Sequence, residues 1–237
     1  MNRLETVLIT GASRGLGLAL ANSYAAEGFY VIACARNTFS INLQKLKEEY
    51  KDNLYIVPLD VASTDSVEKA SVQVGQAVAG IDIIINNAAI HAEDSSLELE
   101  KANIDNCLEV YNVNTLGALR VAKAFLPLLE QGHSKILVNI SSEAGSIANC
   151  YREKEFDYCM SKAAMNMQSK LLQNHLKTRD IKVLAIHPGW MRTDMGGPDA
   201  DLAPIEAANS VRSIVEKYRS GQSSQLYIDN QENVLPF

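Results

Sequence analysis

Residues 6–17 read Thr-Val-Leu-Ile-Thr-Gly-Ala-Ser-Arg-Gly-Leu-Gly, an apolar run that leads directly into three glycines. The apolar run is typical of a buried strand, and the spacing that follows predicts a helix over Leu16–Glu27. Glycines at such a turn let the backbone bend tightly and approach a ligand closely. The N-terminus of the next helix offers free N–H groups to a pyrophosphate. The stretch therefore predicts a dinucleotide site, although a plain tight turn could contain the same glycines.

The alternation of strand and helix continues along the chain. Seven runs are continuously apolar and predict strands that are buried on both faces: Thr6–Ile9, Tyr30–Ala35, Leu54–Leu59, Ile81–Asn86, Lys135–Ser141, Lys182–His187 and Leu226–Asp229. Apolar residues at helical spacing predict the helices between them: Leu16–Glu27, Leu43–Tyr50, Ser63–Val78, Ala102–Leu129, Tyr158–Thr178 and Ile205–Tyr218. This pattern predicts an α/β fold, a single doubly wound Rossmann-type domain over residues 1–237. Its seven-stranded parallel sheet should run in the order 3-2-1-4-5-6-7, with helices on both faces.

The composition limits the classes of partner. The 237 residues are 47% apolar and 21% charged, which is typical of a soluble globular protein. A net charge of −6 without a lysine or arginine run argues against nucleic acids and membranes as partners. The four cysteines and four histidines show no metal-ligand spacing, so we expect free thiols and no metal site. Because no signal peptide or membrane-spanning run is visible, we predict a cytoplasmic protein.

One segment, Gly189 to Pro204, is too polar and too broken for a regular element. A loop of this length inside a compact domain is usually functional or disordered. We interpret residues 189–204 as a substrate lid, with a disordered connection as the alternative.

The preferred nucleotide is predicted from a missing acidic residue and from two arginines. No acidic residue lies between Glu27 and Glu48, where NAD-binding sites place a carboxylate for the ribose 2′-hydroxyl. Arg36 follows the second predicted strand, and Arg14 lies in the glycine loop. Guanidinium groups pair well with a 2′-phosphate, so NADP(H) is predicted over NAD(H). A solvated surface charge at Arg36 is the alternative.

Two further strands end in residues suited to the nucleotide, at the sheet edge where this architecture binds ligands. Asp60 could accept a hydrogen bond from the adenine amino group, although a helix-capping role would also suit it. After the next strand come Asn87, Ala88 and Ala89, whose small alanines would let a ribose lie close.

The downstream half of the chain contains an acid/base pattern. Tyr158 and Lys162 lie four apart on a predicted helix and so point the same way. We expect the lysine cation to lower the pKa of the phenol from about 10 towards neutrality. Ser142, after the strand that ends at Ser141, could stabilise a developing oxyanion. The pattern favours proton transfer to or from a carbonyl oxygen.

Taken together, these motifs resemble the short-chain dehydrogenase/reductase family over essentially the whole chain. They occur in family order: Thr10 to Gly17, Asn86-Asn87-Ala88, Asn114, Ser142, Tyr158-x-x-x-Lys162, and Pro188-Gly189 followed by Thr193.

The resemblance implies a catalytic tetrad of Asn114, Ser142, Tyr158 and Lys162. It also implies that the lysine binds the nicotinamide ribose, that the asparagine holds a relay water, and that Thr193 contacts the nicotinamide carboxamide. The cofactor-binding residues expected from motif and resemblance are Gly11, Ser13, Arg14, Gly15, Leu16, Gly17, Arg36, Asp60, Val61, Asn87, Ala88, Ala89, Tyr158, Lys162, Pro188, Gly189 and Thr193.

More narrowly, the chain is similar to the C-factor and sniffer-like carbonyl reductases. The stretches that suggest this are 114–117, 142–146 and the tail 226–237. The subgroup implies NADPH-dependent reduction of an aldehyde, ketone or quinone to an alcohol, an oxidoreductase acting on CH–OH or carbonyl groups. The alternative is a cofactor-binding regulatory or signalling protein with little or no turnover. In many relatives the helices 102–129 and 158–178 build dimers and tetramers, so a homodimer or homotetramer is expected besides a monomer.

The substrate pocket is the least determined part. Two features depart from the family pattern: Ala89 replaces a common glycine, and the step from Ser142 to Tyr158 is longer than usual. The extra residues should form a loop over the substrate. Apolar and adaptable side chains suit a hydrophobic carbonyl compound, and the candidate pocket walls are Ile147, Tyr151, Phe156, Trp190 and Met195.

Overall fold

The computed structural model describes residues 4–237, and its seven strands form one parallel sheet in the order β3-β2-β1-β4-β5-β6-β7. The strands are β1 Thr6–Thr10, β2 Tyr30–Ala35, β3 Leu54–Pro58, β4 Ile83–Asn86, β5 Ile136–Ile140, β6 Lys182–His187 and β7 Tyr227–Asp229. The helices are α1 Gly15–Ala26, α2 Ile41–Tyr50, α3 Thr64–Ala77, α4 Asn106–Tyr111, α5 Ala118–Glu130, α6 Phe156–Leu176 and α7 Pro204–Arg219. The predicted fold class and strand order are confirmed.

The apolar runs are continuous because both faces of the sheet are covered. In β1, Val7 and Ile9 pack into one cluster with side chains of α1 and α7. Leu8 points the other way and packs with α3 and α5. Successive side chains of a strand face opposite sides, so two separate apolar layers form around one sheet. These layers hold the strand ends rigidly at the edge where the site lies.

The side of the sheet to which new strands are added changes between β3 and β4. The first three strands extend the sheet one way, and β4 then returns to pair with the other side of β1. The connections at such a switch point diverge to opposite faces and leave a crevice at the carboxyl ends of the strands.

One predicted helix differs from the structure. Residues 102–129 were expected as a single helix, but the structure has turns up to Asp105, then α4, a π-helical turn Asn112–Gly117 and α5. The first residues do not join the helix, because the Asn103 backbone N–H donates to the carboxylate of Asp94 at 2.6 Å.

Residues 189–203 are irregular, as expected, whereas Pro204, the last residue of the predicted loop, begins α7. Gly189 has φ +86°, and Met191 and Leu202 form an isolated bridge that closes the segment on itself. The Leu202 N–H donates to the Trp190 carbonyl at 3.0 Å. No helix among residues 4–237 is long and apolar enough to cross a bilayer.

Candidate active site

A cleft of about 1790 Å³ opens at the carboxyl edge of the sheet. It gathers most of the predicted site residues, although they come from widely separated parts of the chain. All of the expected cofactor residues line it: Gly11, Ser13, Arg14, Gly15, Leu16, Gly17, Arg36, Asp60, Val61, Asn87, Ala88, Ala89, Tyr158, Lys162, Pro188, Gly189 and Thr193. Ser142, Tyr151, Trp190 and Met195 line it as well.

The glycine loop is shaped by close backbone approach. A Cβ on Gly17 would lie only 2.3 Å from the Gly11 carbonyl oxygen, so no other residue fits there without a shift. Gly11 itself has φ +68°, a conformation that L side chains rarely adopt. The loop thereby presents backbone to the cleft at the start of α1, where the N–H groups of a helix terminus favour a phosphate.

A hydrogen-bond clasp joins the ends of β1 and β4 beneath this loop. The Thr10 hydroxyl accepts from the backbone N–H groups of Asn87 and Ala88, both at 3.0 Å. The Asn87 side chain donates to the Thr10 carbonyl at 2.8 Å. The two strand ends are therefore fixed relative to each other, and the alanines are held at the cleft wall.

The basic residues predicted for a 2′-phosphate are on the cleft and accessible. Arg36 follows β2 and is exposed, while Arg14 lies just before α1 and pairs with Asp194 at 2.7 Å. Asp194 belongs to the segment 189–204, so this ion pair bridges the glycine loop to that segment. Asp60 does not cap α3, because the Ser63 hydroxyl accepts from the Ser66 N–H at 3.2 Å. The carboxylate of Asp60 accepts only from the nearby Ala62 N–H among the residues described.

Tyr158 and Lys162 face the cleft from the same side of α6. The Lys162 ammonium lies 5.5 Å from the centre of the Tyr158 ring and donates to the Ile140 carbonyl at 2.8 Å. Lys162 is only 1% exposed although it lines the cleft. Ser142 lies beside Tyr158 at the end of β5, while the hydroxyl of its neighbour Ser141 donates to Asn166. The phenol, the lysine and one serine are therefore brought together.

The pKa of Tyr158 differs from the sequence expectation. Burial raises it to about 12, and although a hydrogen bond from Ser142 lowers it, burial dominates. Burial also lowers the pKa of Lys162 to about 7, so the lysine is only partly charged at neutral pH. The expectation that Lys162 lowers the pKa of Tyr158 is therefore wrong for the protein alone, because burial favours the uncharged form of both side chains. A protonated Tyr158 is suited to donate a proton.

Asn114 does not line the cleft but lies directly behind it. It is completely buried in the π-helical turn. Its side chain accepts from the Ile90 N–H and donates to the Ile90 carbonyl, both at 2.8 Å, and donates to the Ser161 hydroxyl at 3.0 Å. Ile90 lines the cleft, so Asn114 fixes a piece of cleft wall to the helix that contains Tyr158.

An ionic cluster beside Tyr158 was not expected from the sequence. Arg152, in the loop before α6, pairs with Glu143 and with Glu155. All three line the cleft, and the cluster has one net negative charge. The Nε of Arg152 is buried and has no partner among the described residues. The only sequence signal was the long step between Ser142 and Tyr158, which supplies Arg152.

Two predicted substrate residues are not at the cleft. Ile147 is 78% exposed and lies outside it, because its neighbours Ser146 and Ala148 are hydrogen-bonded to Pro236 and Phe237. Phe156 lines a separate small depression. It precedes Tyr158 by two residues of α6, about 200° around the helix, so the two side chains diverge. The prediction that Ile147 and Phe156 line the substrate pocket is therefore wrong.

The residues present fit a nicotinamide dinucleotide. The cradle between Gly11 and Gly17 would be filled by a Cβ, and Arg14 and Arg36 line the same cleft. Tyr158 and Lys162 line this cleft too. Within residues 4–237, no group of three or more histidine, cysteine or acidic side chains could hold a metal ion.

Known proteins share both sequence and fold with this chain. A family model described as short chain dehydrogenase matches residues 5–201. An uncharacterized oxidoreductase of Schizosaccharomyces pombe is 34% identical over 249 residues, covering 97% of this chain and 96% of that protein. The C-signal of Myxococcus xanthus is 31% identical over 159 residues, covering 66% of this chain and 93% of that protein.

Solved structures agree over the full length. An NADPH-bound carbonyl reductase from chicken fatty liver has a TM-score of 0.89 and 29% identity, with complete coverage of both chains. The carbonyl reductase Sniffer of D. melanogaster has a TM-score of 0.90 and 26% identity, covering 99% of this chain and 100% of that one.

Proposed function

This chain belongs to the short-chain dehydrogenase family, and on that premise we propose that it is an NADPH-dependent carbonyl reductase. The observation that carries the proposal is that one cleft contains Tyr158, the buried Lys162 close to its ring, and a glycine cradle. Carbonyl reductases among the structural neighbours support it.

The reaction would be reduction of an aldehyde, ketone or quinone to an alcohol. NADPH, when bound, supplies the hydride that adds to the carbonyl carbon. Tyr158 gives its hydroxyl proton to the carbonyl oxygen, and Ser142 donates a hydrogen bond to the same oxygen as charge develops. Lys162, with a pKa of about 7, releases and binds a proton near neutral pH and so can restore the proton to Tyr158.

The pKa values give the direction of the pH dependence. Tyr158 must be protonated to reduce a carbonyl, and its pKa of about 12 keeps it so across neutral pH. We expect carbonyl reduction to be insensitive to Tyr158 ionisation at neutral pH, and alcohol oxidation to accelerate as pH rises. Initial rates in both directions between pH 6 and about 10 measure this. Faster oxidation at the acidic end would contradict the assignment.

Replacement of Tyr158 tests the function directly. The assay follows NADPH oxidation with a panel of aldehydes, diketones, quinones and steroids. Tyr158→Phe should lower kcat at least about 100-fold, because the proton donor is lost, while NADPH binding by calorimetry stays unchanged. Tyr111→Phe, a tyrosine on α4 outside the cleft, is the control. Wild-type turnover by Tyr158→Phe would contradict the mechanism.

A biological effect that survives Tyr158→Phe would favour the regulatory or signalling alternative, which the similarity to C-signal supports.

The preference for NADP(H) is part of the proposal. Arg14 and Arg36 line the cleft near the glycine loop, and β2 is followed by Arg36 rather than by an acid. A 2′-phosphate would be attracted by both guanidinium groups. Comparing kcat/KM for NADPH and NADH tests this, and equal values would end it.

The substrate is proposed to be uncharged and partly apolar. Tyr151, Trp190 and Met195 offer apolar surface to the cleft, whereas the Glu143–Arg152–Glu155 cluster has a net negative charge. Glu93 lines the same cleft and adds a further negative charge. A substrate carboxylate would be repelled, because Arg152 is already paired twice.

A matched pair of substrates tests the charge rule. Methyl 4-formylbenzoate should be reduced with kcat/KM at least roughly tenfold above that for 4-formylbenzoate. The double variant Glu143→Gln/Glu155→Gln should narrow the ratio, since it leaves Arg152 unneutralised. Glu153→Gln, in the same loop but off the cleft, is the control and should leave the ratio intact. A preference for the acid in the wild type would refute the rule.

Residues 189–204 are proposed to act as a lid on the bound substrate. The segment supplies Trp190 and Met195 to the cleft and is joined to the glycine loop through the Arg14–Asp194 pair. Limited proteolysis should cut it more slowly when NADPH is present. Equal cleavage rates with and without NADPH would contradict a lid.

A homodimer through α4, α5 and α6 is also proposed, with a cytoplasmic location. Large apolar side chains on these helices are exposed: Leu108, Leu119, Met160, Met167 and Leu171. Their burial against a second copy would remove an apolar surface from water. Light scattering should give twice the chain mass, and Leu171→Glu should return the monomer.

The four cysteines are free thiols, which is typical of proteins in a reducing compartment. Cell fractionation tests the proposed cytoplasmic location.

A further inference from the structure

We propose that Gln168 is a positioning residue for the active site, because its side-chain amide inserts into the backbone ladder between α4 and α5 and thereby fixes Asn114. The proposal rests on the function proposed above. Gln168 has no place in the motifs that identified the site.

The geometry is specific. With its amide oriented so that both polar atoms are satisfied, Gln168 Nε2 donates to the Thr115 carbonyl at 2.8 Å, and Oε1 accepts from the Leu119 N–H at 3.2 Å. In a regular α-helix the N–H of residue 119 would donate directly to the carbonyl of residue 115. The amide therefore replaces one backbone bond by two bonds of its own. Side chains that insert in this way are a recognised cause of breaks in a helix.

The break is where the π-helical turn Asn112–Gly117 lies, and Asn114 is inside it. A second contact holds the same turn, since the Thr115 hydroxyl donates to the Ser161 carbonyl at 2.9 Å. Residues of a helix are displaced by about 100° per position, so a return to α-helical register would rotate Asn114 away from Ile90 and Ser161. The wider turn is thus needed for the Asn114 contacts described above.

Gln168 is well placed to couple this turn to the chemistry. It is buried on α6, ten residues after Tyr158 and six after Lys162. One helix therefore contains the proton donor, the lysine and the amide that sets the asparagine. π-Helical turns persist mainly where function requires them, because their geometry is less favourable than that of an α-helix. Without the amide, Thr115 and Leu119 would regain their direct bond and the turn would lose its reason to persist.

Gln168→Leu removes both hydrogen bonds at similar volume. We expect kcat to fall roughly 10- to 100-fold, as for other small misplacements of catalytic groups, with the Kd for NADPH unchanged. Hydrogen exchange in residues 112–119 should change relative to the wild type, because the turn changes register. Gln173→Leu, the same substitution further along α6, should alter neither kcat nor hydrogen exchange in residues 112–119. All measurements are made well below each variant's Tm.

Gln168→Glu separates positioning from mere packing. A neutral carboxylic acid can donate to Thr115 and accept from Leu119, whereas a carboxylate can only accept. The kcat of Gln168→Glu relative to wild type should therefore be high at low pH and fall as pH rises. Gln168→Leu should show no such trend.

The outcomes are distinct. Wild-type kcat in folded Gln168→Leu, or a kcat ratio for Gln168→Glu that does not fall with pH, would overturn the inference. Should the wild type reduce no carbonyl compound, the proposed function fails. Hydrogen exchange of residues 112–119 then still decides whether Gln168 holds the turn, and unchanged exchange in Gln168→Leu overturns that part.

Discussion

The half of the cleft at the glycine loop and the half around Tyr158 differ in which atoms face the ligand. At the loop, backbone of Gly11 and Gly17 forms the cradle, and the charged groups Arg14 and Arg36 are exposed. Around Tyr158, the working groups are side chains buried in a network that spans several elements. Exposed charges contribute to affinity in small increments, whereas a buried polar network fails when one member is lost. Changes to the exposed charges at the loop should therefore act gradually on cofactor binding, and changes around Tyr158 should act sharply on kcat.

The largest effect should come from Lys162→Met. We expect kcat to fall at least about 100-fold, because the group that returns the proton to Tyr158 is lost. Lys182→Met, which removes another lysine bonded to backbone carbonyls but off the cleft, should keep kcat. Wild-type turnover in Lys162→Met would contradict the expected difference between the two halves of the cleft.

The same variant should gain stability with a defined pH dependence. The folded protein holds Lys162 with a pKa of about 7, against 10.5 when unperturbed. Between these values the folded state binds fewer protons, so wild-type stability rises with pH across that window. Lys162→Met removes the cost of burying the ammonium, and its gain in unfolding free energy should be greatest at pH 7 or below and vanish near pH 10.5. Denaturant titrations across this range measure it, and a gain that grows with pH would contradict it.

Gly17→Ala tests the backbone cradle. A Cβ 2.3 Å from the Gly11 carbonyl forces the loop to shift, so the Kd for NADPH should rise roughly 10- to 100-fold while kcat at saturation is retained. Gly75→Ala is the control, since a Cβ there meets only Leu128 at 3.9 Å. Loss of kcat without loss of affinity would show that the two halves are not separable in this way.

Arg36→Ala should have a smaller effect confined to one cofactor. Loss of a charged hydrogen bond of about 1.4 kcal/mol would raise the KM for NADPH about tenfold and leave that for NADH unchanged. Arg179→Ala, an exposed arginine paired with Glu130 away from the cleft, is the matched control. An equal effect on NADH would point to general attraction rather than to the 2′-phosphate.

Asp194→Asn should have the smallest effect, and in the opposite direction. It releases Arg14 from an ion pair whose side chains are both about three-quarters exposed, so the Kd for NADPH should fall about twofold. Calorimetry at two salt concentrations resolves this. Weaker binding would show that the pair helps the cofactor rather than competing with it.

The sequence was most informative where structure is local. The apolar run Ile81–Asn86 predicted a strand, which the structure has as β4 over Ile83–Asn86, and the spacing of Tyr158 and Lys162 placed both groups on one helix face. It was least informative where the cause is distant. The π-helical turn depends on Gln168, about fifty residues further along, and no periodicity in residues 102–129 reveals it.

Burial explains the remaining differences. The pKa shifts of Tyr158 and Lys162 follow from the loss of hydration at each group, which helical spacing does not report. Ile147 looked like a pocket wall by composition, but its loop is held by residues near position 237. In each case a contact between remote segments decided the outcome.

The serine beside Tyr158 is tied to the last strand. The Tyr227 hydroxyl donates to the Ser142 carbonyl at 2.5 Å, the Ser146 hydroxyl donates to the Pro236 carbonyl at 2.7 Å, and the Tyr227 ring stacks on Phe237. During synthesis at the ribosome, the loop after β5 is therefore made about ninety residues before the C-terminal residues that hold it. We therefore expect the glycine loop to form early in the nascent chain, and the loop that contains Ser142 to become ordered only when β7 has docked.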